Sequence, residues 1–344
     1  MNYPERIASV TELESLLSVP TEGLIEMMKR IDGDIMILGI AGKMGVTMGR
    51  QAVNAIRAAG VSKKVIGVSR FSRKEEREKL EDWGIETIAC DLLDQDAVKS
   101  LPQVKNIVFM AGRKFGTEGS EAQTWAMNIL APSYIGAHFR GSRIVAFSTG
   151  CVYPLVGITS CGCTEEVTPE PVGEYSQSCL GRERIFQYCS QKYGTKVLLF
   201  RLNYAIDLRY GVLHDIARNI WEGRPVDNTV GYFNVIWQGD ANSNALRSFE
   251  LCDSPAAVLN VTGPETASVE KTALQLGALM GKEVVFKGVP GNLCYLNNSA
   301  QMCRRFGYPN VSLEQMIRWQ ADWIRNGGIS IGKPTHFEVN NGKF

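Results

Sequence analysis

Short apolar runs alternate with longer amphipathic stretches between residues 35 and 202. Alternation of this kind is typical of strands joined by right-handed crossover helices in a parallel sheet. The sequence therefore predicts an α/β protein built on a doubly wound parallel sheet. The predicted strands cover residues 35–38, 64–68, 85–89, 106–110, 142–147 and 196–202.

The two flanks of this alternating region have patterns of their own. Residues 9–31 predict two short helices, the first with Thr11 and Glu14 spaced as a capping box. After Tyr204 the pattern becomes irregular, apart from one strand and two amphipathic helices predicted at 258–262, 268–280 and 313–325. We therefore predict three parts: a helical N-terminal extension at 1–33, a sheet domain at 34–204 to which strand 258–262 returns, and a smaller α/β lobe at 205–257 and 263–344.

A turn with three glycines follows the first predicted strand. Gly39, Gly42 and Gly45 are spaced by threes between the apolar run and a helical pattern. In a dinucleotide-binding Rossmann unit, these glycines allow the sharp turn, the approach of backbone to a pyrophosphate, and close packing of helix on sheet. The helix N-terminus adds free amide donors and a positive dipole. We therefore predict a cofactor site here that also includes Lys43 and Met44.

The end of the second predicted strand bears on which dinucleotide is bound. An acidic residue there hydrogen-bonds the adenosine ribose, whereas a basic residue accommodates a 2′-phosphate. This chain has Ser69 and Arg70 and no acid, which favours NADP over NAD, although a plain surface arginine is the other interpretation. Asp91 and Leu92 follow the third strand, where the carboxylate can reach the adenine amino group or cap the next helix.

Two hydroxyl-bearing residues are placed for proton transfer. Thr149 follows the fifth predicted strand, and Tyr175 opens the next helix. Ligands bind beyond the carboxyl ends of the strands in such sheets, so Thr149 can hydrogen-bond a carbonyl or hydroxyl oxygen while Tyr175 exchanges its proton. We predict that this pair is catalytic and that the lobe after Tyr204 binds substrate, with Arg209 as a candidate for its wall.

Composition narrows the classes of function. With 37 basic and 36 acidic residues, the chain has no charge excess for binding nucleic acid or an anionic membrane. It has no apolar run of about eighteen residues that would span a bilayer and no signal-peptide pattern at its start. Nine cysteines without disulfide-framework spacing indicate reduced thiols, and three histidines give no finger-type metal site. We expect a cytoplasmic protein that binds a small molecule and no metal.

Taken in order, these motifs resemble the extended short-chain dehydrogenase/reductase superfamily, in its NAD-dependent epimerase/dehydratase branch. The resemblance covers about residues 34–330. It implies hydride transfer to or from nicotinamide, with Tyr175 as acid/base and Thr149 orienting the reacting oxygen. It also implies a homodimer formed through the helices near 122–139 and 176–193. Further residues match family positions: Met110, Ala111 and Gly112 behind the cofactor, Asn203 beside the nicotinamide, and Asn128, a helix asparagine and candidate substrate ligand.

One position departs from the family pattern. The family's tyrosine is normally followed four residues later by a lysine, and this chain has Cys179 there. A lysine one helical turn from Tyr175 would bind the nicotinamide ribose and lower the tyrosine's pKa, which is about 10 when unperturbed. A neutral thiol does neither well. Arg182 on the same helix face and Lys114 in the loop after the fourth strand are candidates for a displaced cation, and Lys114 also for substrate contact.

Two classes of function follow from these residues. The first is an NAD(P)-dependent oxidoreductase or redox-coupled epimerase acting on a hydroxylated, sugar-like molecule. A dehydratase is less favoured, because no Asp–Glu pair accompanies Thr149. The second class is a dinucleotide-binding regulator or scaffold with impaired catalysis, which Cys179 would allow. The sequence leaves the substrate and the reaction open.

Overall fold

The computed structural model describes residues 3–113, 119–339 and 342 of the 344-residue chain. Its centre is a sheet of seven strands. These are β1 (Ile35–Leu38), β2 (Val65–Ser69), β3 (Glu86–Ala89), β4 (Asn106–Phe109), β5 (Arg143–Thr149), β6 (Lys196–Leu202) and β7 (Ala257–Val261).

The central sheet is parallel throughout, with the strand order β7-β6-β5-β4-β1-β2-β3. Ile35 of β1 lies opposite Val65 on one side and Asn106 on the other. This doubly wound sheet confirms the predicted fold class, and every strand lies within two residues of its predicted bounds. Because all strands point the same way, their carboxyl ends meet along one edge.

Helices cover both faces of the sheet, and short strand pairs join the lobe. On one face Met48 and Ala52 pack against the strands, and on the other Phe139 and Phe186 do so. The helices are α1 (Val10–Leu17), α2 (Glu22–Arg30), α3 (Gly45–Ala59), α4 (Lys74–Asp82), α5 (Gln95–Lys99), α6 (Glu121–Trp125), α7 (Ala131–His138), α8 (Gly173–Tyr193), α9 (Val212–Trp221), α10 (Gln238–Arg247), α11 (Val269–Met280), α12 (Ala300–Phe306) and α13 (Leu313–Arg325). The short pairs are Tyr232–Phe233 with Ala267–Ser268, Ile236–Trp237 with Ala205–Ile206, Phe286–Lys287 with Val226–Asp227, and Leu293–Cys294 with Val156–Gly157.

The N-terminal helices α1 and α2 pack against α3 and α10. The capping box lies two residues earlier than the sequence predicted: the Ser9 side chain accepts from the Glu12 amide at 3.1 Å, and Glu12 accepts from the Ala8 amide at 2.7 Å. Thr11 is therefore inside the helix. Glu14, the other half of the predicted box, pairs instead with Lys79.

The C-terminal lobe has its own apolar core. Helices α9, α11 and α13 contact one another, and they bury Ile216, Leu276 and Trp319 in one cluster. The residues that follow α13 turn back over α9, where Phe337 joins the same cluster. No helix in the described ranges is long and apolar enough to cross a membrane.

Candidate functional site

The glycine turn between β1 and α3 depends on close backbone packing. Gly39 has φ +92°, and a Cβ there would lie 2.8 Å from the Ala111 amide nitrogen. A Cβ at Gly45 would lie 2.7 Å from the Cα of Ile40. Met44 caps α3 without a side-chain hydrogen bond, so its side chain does not occupy the first amides of the helix. Small glycines beside an uncapped helix start fit a pyrophosphate.

One cavity lies at the outer end of this turn, over β2 and β3. Its volume is about 350 Å³, and it is lined by Gly39, Gly42, Ser69, Arg70, Asp91, Leu92, Met110, Ala111, Gly112 and neighbours. Arg73, which the sequence analysis did not single out, also lines it and pairs with Glu76. Asp94 caps α5 through two amides, so Asp91 is not the helix cap, the alternative left open by the sequence.

A second cavity of about 290 Å³ continues from the first, because Gly42, Met110 and Gly112 line both. Thr149 and Tyr175 meet in its wall, together with Lys43, Met44, Arg182 and Asn203. The Thr149 hydroxyl oxygen accepts from the Cys151 amide at 3.2 Å. This bond uses a lone pair and leaves the hydroxyl proton for an oxygen in the cavity. The structure thus unites the predicted catalytic pair with the glycine turn in one groove.

Tyr175 lies in the first turn of α8, and its side chain is hydrogen-bonded to Cys179. Burial raises the pKa of the Tyr175 phenol well above its usual value, the Cys179 and Cys151 thiols add to this shift, and Arg182 opposes it. Desolvation disfavours the charged phenolate, and a thiol offers no compensating positive charge. Tyr175 is therefore a protonated phenol at neutral pH.

Arg182 brings a buried positive charge to the cavity, two turns along α8 from Tyr175. Its side chain is almost fully buried and donates to the Phe147 carbonyl at 2.8 Å and to the Asn128 amide oxygen. Its Nε has no hydrogen-bond partner in the described ranges. A Cβ at Gly112 would lie 2.5 Å from the Arg182 Nη2, so glycine at that position makes room for the guanidinium.

Two of the three candidate substrate contacts, Asn128 and Arg209, do not line the cavity. Asn128 lies in a π-helical turn, Ala126–Leu130, where its amide donates to the Ser178 hydroxyl at 2.8 Å and accepts from Arg182. It therefore positions Arg182 and α8. The Arg209 guanidinium is held by Asp207 and Glu14, at 2.7 and 3.2 Å. Lys114 lies outside the described residues.

A cysteine is among the cavity residues that sequence reasoning missed. Cys151, two residues after Thr149, lines the cavity, and its position beside the predicted catalytic threonine was the available signal. Tyr204 and Tyr210 enter from the start of the lobe. The Lys43 ammonium lies 3.3 Å from the Tyr210 ring centroid and 3.3 Å from the Ala205 carbonyl oxygen. Nothing in the local sequence relates the glycine turn to that ring.

The remaining thiols and acidic groups form no metal centre in the part of the chain that the structure describes. None of the nine cysteines, all of which lie in the described ranges, forms a disulfide. Burial raises the pKa of most of these thiols, for example to about 11 at Cys163. Such thiols remain protonated and are poor metal ligands near neutral pH.

Comparison with known proteins gives one family and many similar folds. The model of the NAD-dependent epimerase/dehydratase family matches residues 35–225. A UDP-glucose 4-epimerase from Thermotoga maritima, solved with UDP-glucose, has 18% identity and a TM-score of 0.68, covering 85% of this chain and 98% of its own. The Thermus thermophilus UDP-glucose 4-epimerase in complex with NAD has 18% identity and a TM-score of 0.68, with coverage of 86% and 99%.

A dehydratase has an equally similar fold. The dTDP-glucose 4,6-dehydratase from Bacillus anthracis in complex with NAD has 17% identity and a TM-score of 0.70, covering 86% of this chain and 97% of its own. At these identities the structures share the fold with this chain. No curated protein sequence matches the chain significantly.

Proposed function

The chain belongs to the NAD-dependent epimerase/dehydratase family, and we propose on that basis that it is a nicotinamide-dependent oxidoreductase or redox-coupled epimerase acting on a hydroxylated, sugar-like molecule. The observation that carries this proposal is the shared wall of the second cavity, where Thr149 and Tyr175 lie beside the glycine turn. The same wall carries hydroxyl and amide side chains, including Tyr204 and Asn203. Such groups suit a substrate rich in hydroxyls, because they can hydrogen-bond to it.

The groove formed by the two cavities fits an extended dinucleotide. The uncapped start of α3 and the turn at Gly42 would hold the pyrophosphate, while Ser69 and Asp91 would contact the adenosine end and Asn203 the nicotinamide end. A nicotinamide dinucleotide supplies or accepts the hydride when bound. Side chains in the cavity wall must then donate or accept the proton that accompanies hydride transfer.

Proton transfer is assigned to Tyr175. Because its phenol is protonated at neutral pH, it donates a proton to a substrate carbonyl oxygen as the adjacent carbon is reduced. Thr149 donates a hydrogen bond to the same oxygen and orients it. Arg182 stabilises the negative charge that develops when the phenol gives up its proton. No carboxylate belongs to the described wall of this cavity, which favours a reductase or epimerase over a dehydratase, since elimination of water needs a further acid/base pair.

We also propose NADP as the preferred cofactor, with NAD as the alternative. The cavity over β2 carries Arg70 and Arg73, and a guanidinium suits a 2′-phosphate. NADPH should bind about tenfold more tightly than NADH, and Arg70→Ala should remove that difference. Arg77→Ala, an exposed arginine paired with Glu81, is the control. Equal affinities in the unmodified protein would refute the preference.

The proposed activity is tested by a screen of sugars and sugar acids with both cofactors. With any substrate found, Tyr175→Phe should turn over at least about a hundredfold more slowly than the unmodified protein, because general acid catalysis contributes a factor of that size. Cofactor binding should persist in this variant. Thr149→Val should reduce turnover with little change in cofactor affinity. Full turnover in both variants would exclude these residues from the reaction.

A second candidate, a dinucleotide-binding regulator with impaired catalysis, is favoured by one observation. Cys179 supplies no positive charge beside Tyr175, and burial raises the pKa of the Tyr175 phenol. This function predicts tight nucleotide binding and no substrate-dependent change in nicotinamide absorbance. Turnover that depends on Tyr175 would rule it out.

A homodimer is proposed for either function. The helices that pair in dimers of this family expose large apolar side chains here, among them Trp125, Leu130 and Tyr188. Burial of such groups stabilises an association between copies. Sedimentation that shows only monomer at micromolar concentration would contradict the dimer.

A further inference from the structure

The wall of the second cavity carries positive charge. Lys43, Arg113 and Arg182 line it, and no carboxylate belongs to the part of the wall that the structure describes. A cleft lined by one sign of charge concentrates the electric field and attracts ligands of the opposite sign. The pyrophosphate of a dinucleotide would balance part of this charge beside the glycine turn. The remaining charge favours a second anionic group in the cavity.

The two arginines are held by neighbouring helices. Arg182 donates to the Phe147 carbonyl at 2.8 Å and to the Asn128 amide oxygen. The Arg113 guanidinium donates to the side-chain oxygen of Gln123 in α6. These contacts fix both guanidinium groups on the side of the cavity that α6 and α8 form.

Lys43 brings the third charge to the lobe. Its backbone belongs to the glycine turn, but its ammonium lies 3.3 Å from the Ala205 carbonyl oxygen and 3.3 Å from the centroid of the Tyr210 ring. The Tyr210 side chain is buried, so its ring is a fixed surface. A carbonyl oxygen and an aromatic face attract a cation without cancelling its charge. The structure thus holds the Lys43 charge where the lobe meets the cavity.

We propose that Lys43 binds an oxyanion of the substrate, a carboxylate or a phosphate, at the lobe wall of this cavity. The inference rests on the function proposed above and narrows its substrate class to acidic or phosphorylated sugars. Hydrogen bonds between an ammonium and an oxyanion are charge-assisted and stronger than those between neutral groups. Lys43 is then a specificity-determining residue, which also disfavours cationic molecules such as amino sugars.

The position of Lys43 also orients the substrate. Thr149 and Tyr175 hold the reacting oxygen at one point, and the Lys43 ammonium holds the anion at a second. Two fixed contacts restrict the rotation of a sugar ring and bring the reacting carbon to a defined place. Because Lys43 belongs to the turn that holds the pyrophosphate, the same contact fixes the substrate relative to the cofactor.

The test is calorimetry on the full chain saturated with NADP. The probes are glucose, glucuronate and glucose 6-phosphate, followed by the same three forms of galactose and mannose. Within each set the ring is kept and only the group on C6 changes, so a carboxylate and a phosphate are distinguished. At least one acidic or phosphorylated form should bind about tenfold more tightly than its neutral sugar. Equal affinities within every set would overturn the proposal.

The variants locate the effect at one side chain. Lys43→Met should abolish the preference for the anionic form, Lys43→Arg should retain most of it, and the affinity for the neutral sugar should change little. The matched control is Lys99→Met, which removes the same charge from an exposed lysine paired with Asp96. An equal loss in Lys99→Met would make the preference an effect of overall charge and would overturn the contact. Weaker cofactor binding in Lys43→Met with an unchanged anion preference would assign Lys43 to the pyrophosphate and would also overturn it.

Turnover decides the proposed function separately, because these binding measurements do not depend on catalysis. An acidic sugar that binds through Lys43 without turnover would leave the anion contact standing and remove the proposed oxidoreductase activity. Turnover of a neutral sugar that is unchanged in Lys43→Met, with no anionic form preferred, would keep the activity and overturn the anion contact.

Discussion

The buried ion pair between β6 and α8 offers a sharp test of the energetics of this fold. Arg201 in β6 binds Glu183 in α8 through two hydrogen bonds, at 2.7 and 2.9 Å. Their side chains are 4% and 1% exposed. The Ser148 hydroxyl also donates to Glu183, at 2.5 Å, so this carboxylate fixes the residue next to Thr149.

Glu183→Gln removes the charge and keeps the shape. The amide oxygen can still accept from Ser148, but the buried Arg201 guanidinium loses its counter-charge. Removing one partner of a buried pair costs about 3–5 kcal/mol, because the remaining charge is desolvated and unpaired. Urea unfolding is the suitable assay, since urea is uncharged and does not screen ion pairs, and the slope of the transition should stay unchanged.

The chain supplies a matched control on its surface. Arg30 binds Glu250 with the same two-bond geometry, both at 2.8 Å, but these side chains are 57% and 34% exposed. Glu250→Gln should therefore cost far less unfolding free energy than Glu183→Gln, because solvent screens an exposed pair. Similar losses in the two variants would refute the argument that burial sets the energy of these pairs.

Three further predictions concern the glycine turn and helix α8. In an ultraviolet titration, the phenolate signal of Tyr175 is identified by its loss in Tyr175→Phe. It should appear above pH 10, because burial raises the pKa of this phenol and the phenol stays protonated until the pH passes that pKa. A Tyr175 signal below pH 9 would be incompatible with this prediction. Cys179→Lys should lower that pKa, because a neighbouring cation favours the phenolate, whereas the uncharged Cys179→Met should not. Equal titration curves for the two variants would show that a cation at this position has no effect. Gly45→Ala should weaken dinucleotide binding, measured by calorimetry, at least about tenfold, because the added Cβ meets the Ile40 backbone. The control is Gly49→Ala, whose Cβ meets only the ends of flexible side chains. Equal affinities in the two variants would show that the turn does not take part in binding.

The sequence was sufficient to predict the sheet and the glycine turn because both depend on local patterns. Apolar runs separated by helical patterns predicted the bounds of all seven strands of the central sheet to within two residues. Glycine spacing located a turn whose close contacts, at Gly39 and Gly45, are between residues near in sequence or on adjacent strands. The first helix cap was misplaced because Ser9 and Thr11 both precede acidic residues at the capping-box spacing, and only the backbone conformation at Ser9 distinguishes them.

The rest of the site could not be predicted because it depends on distant contacts. Arg209 is a plausible cavity residue by position, but Glu14, far away in sequence, draws it into an ion pair. Asn128 was placed in the right region, yet its amide is used by Ser178 and Arg182.

The packing of the N-terminal helices has a consequence for how the chain folds during synthesis. Thr21 is hydrogen-bonded to Ser243 at 2.7 Å, and the Trp319 indole donates to the Pro4 carbonyl at 2.9 Å. At roughly 5–20 residues per second, the ribosome takes about 15–60 seconds to reach Trp319 after the first residues emerge. Until Trp319 is made, Leu13 lacks part of the apolar cluster that buries it in the folded chain. Helix α1 therefore completes its packing only after the C-terminal lobe has been synthesised.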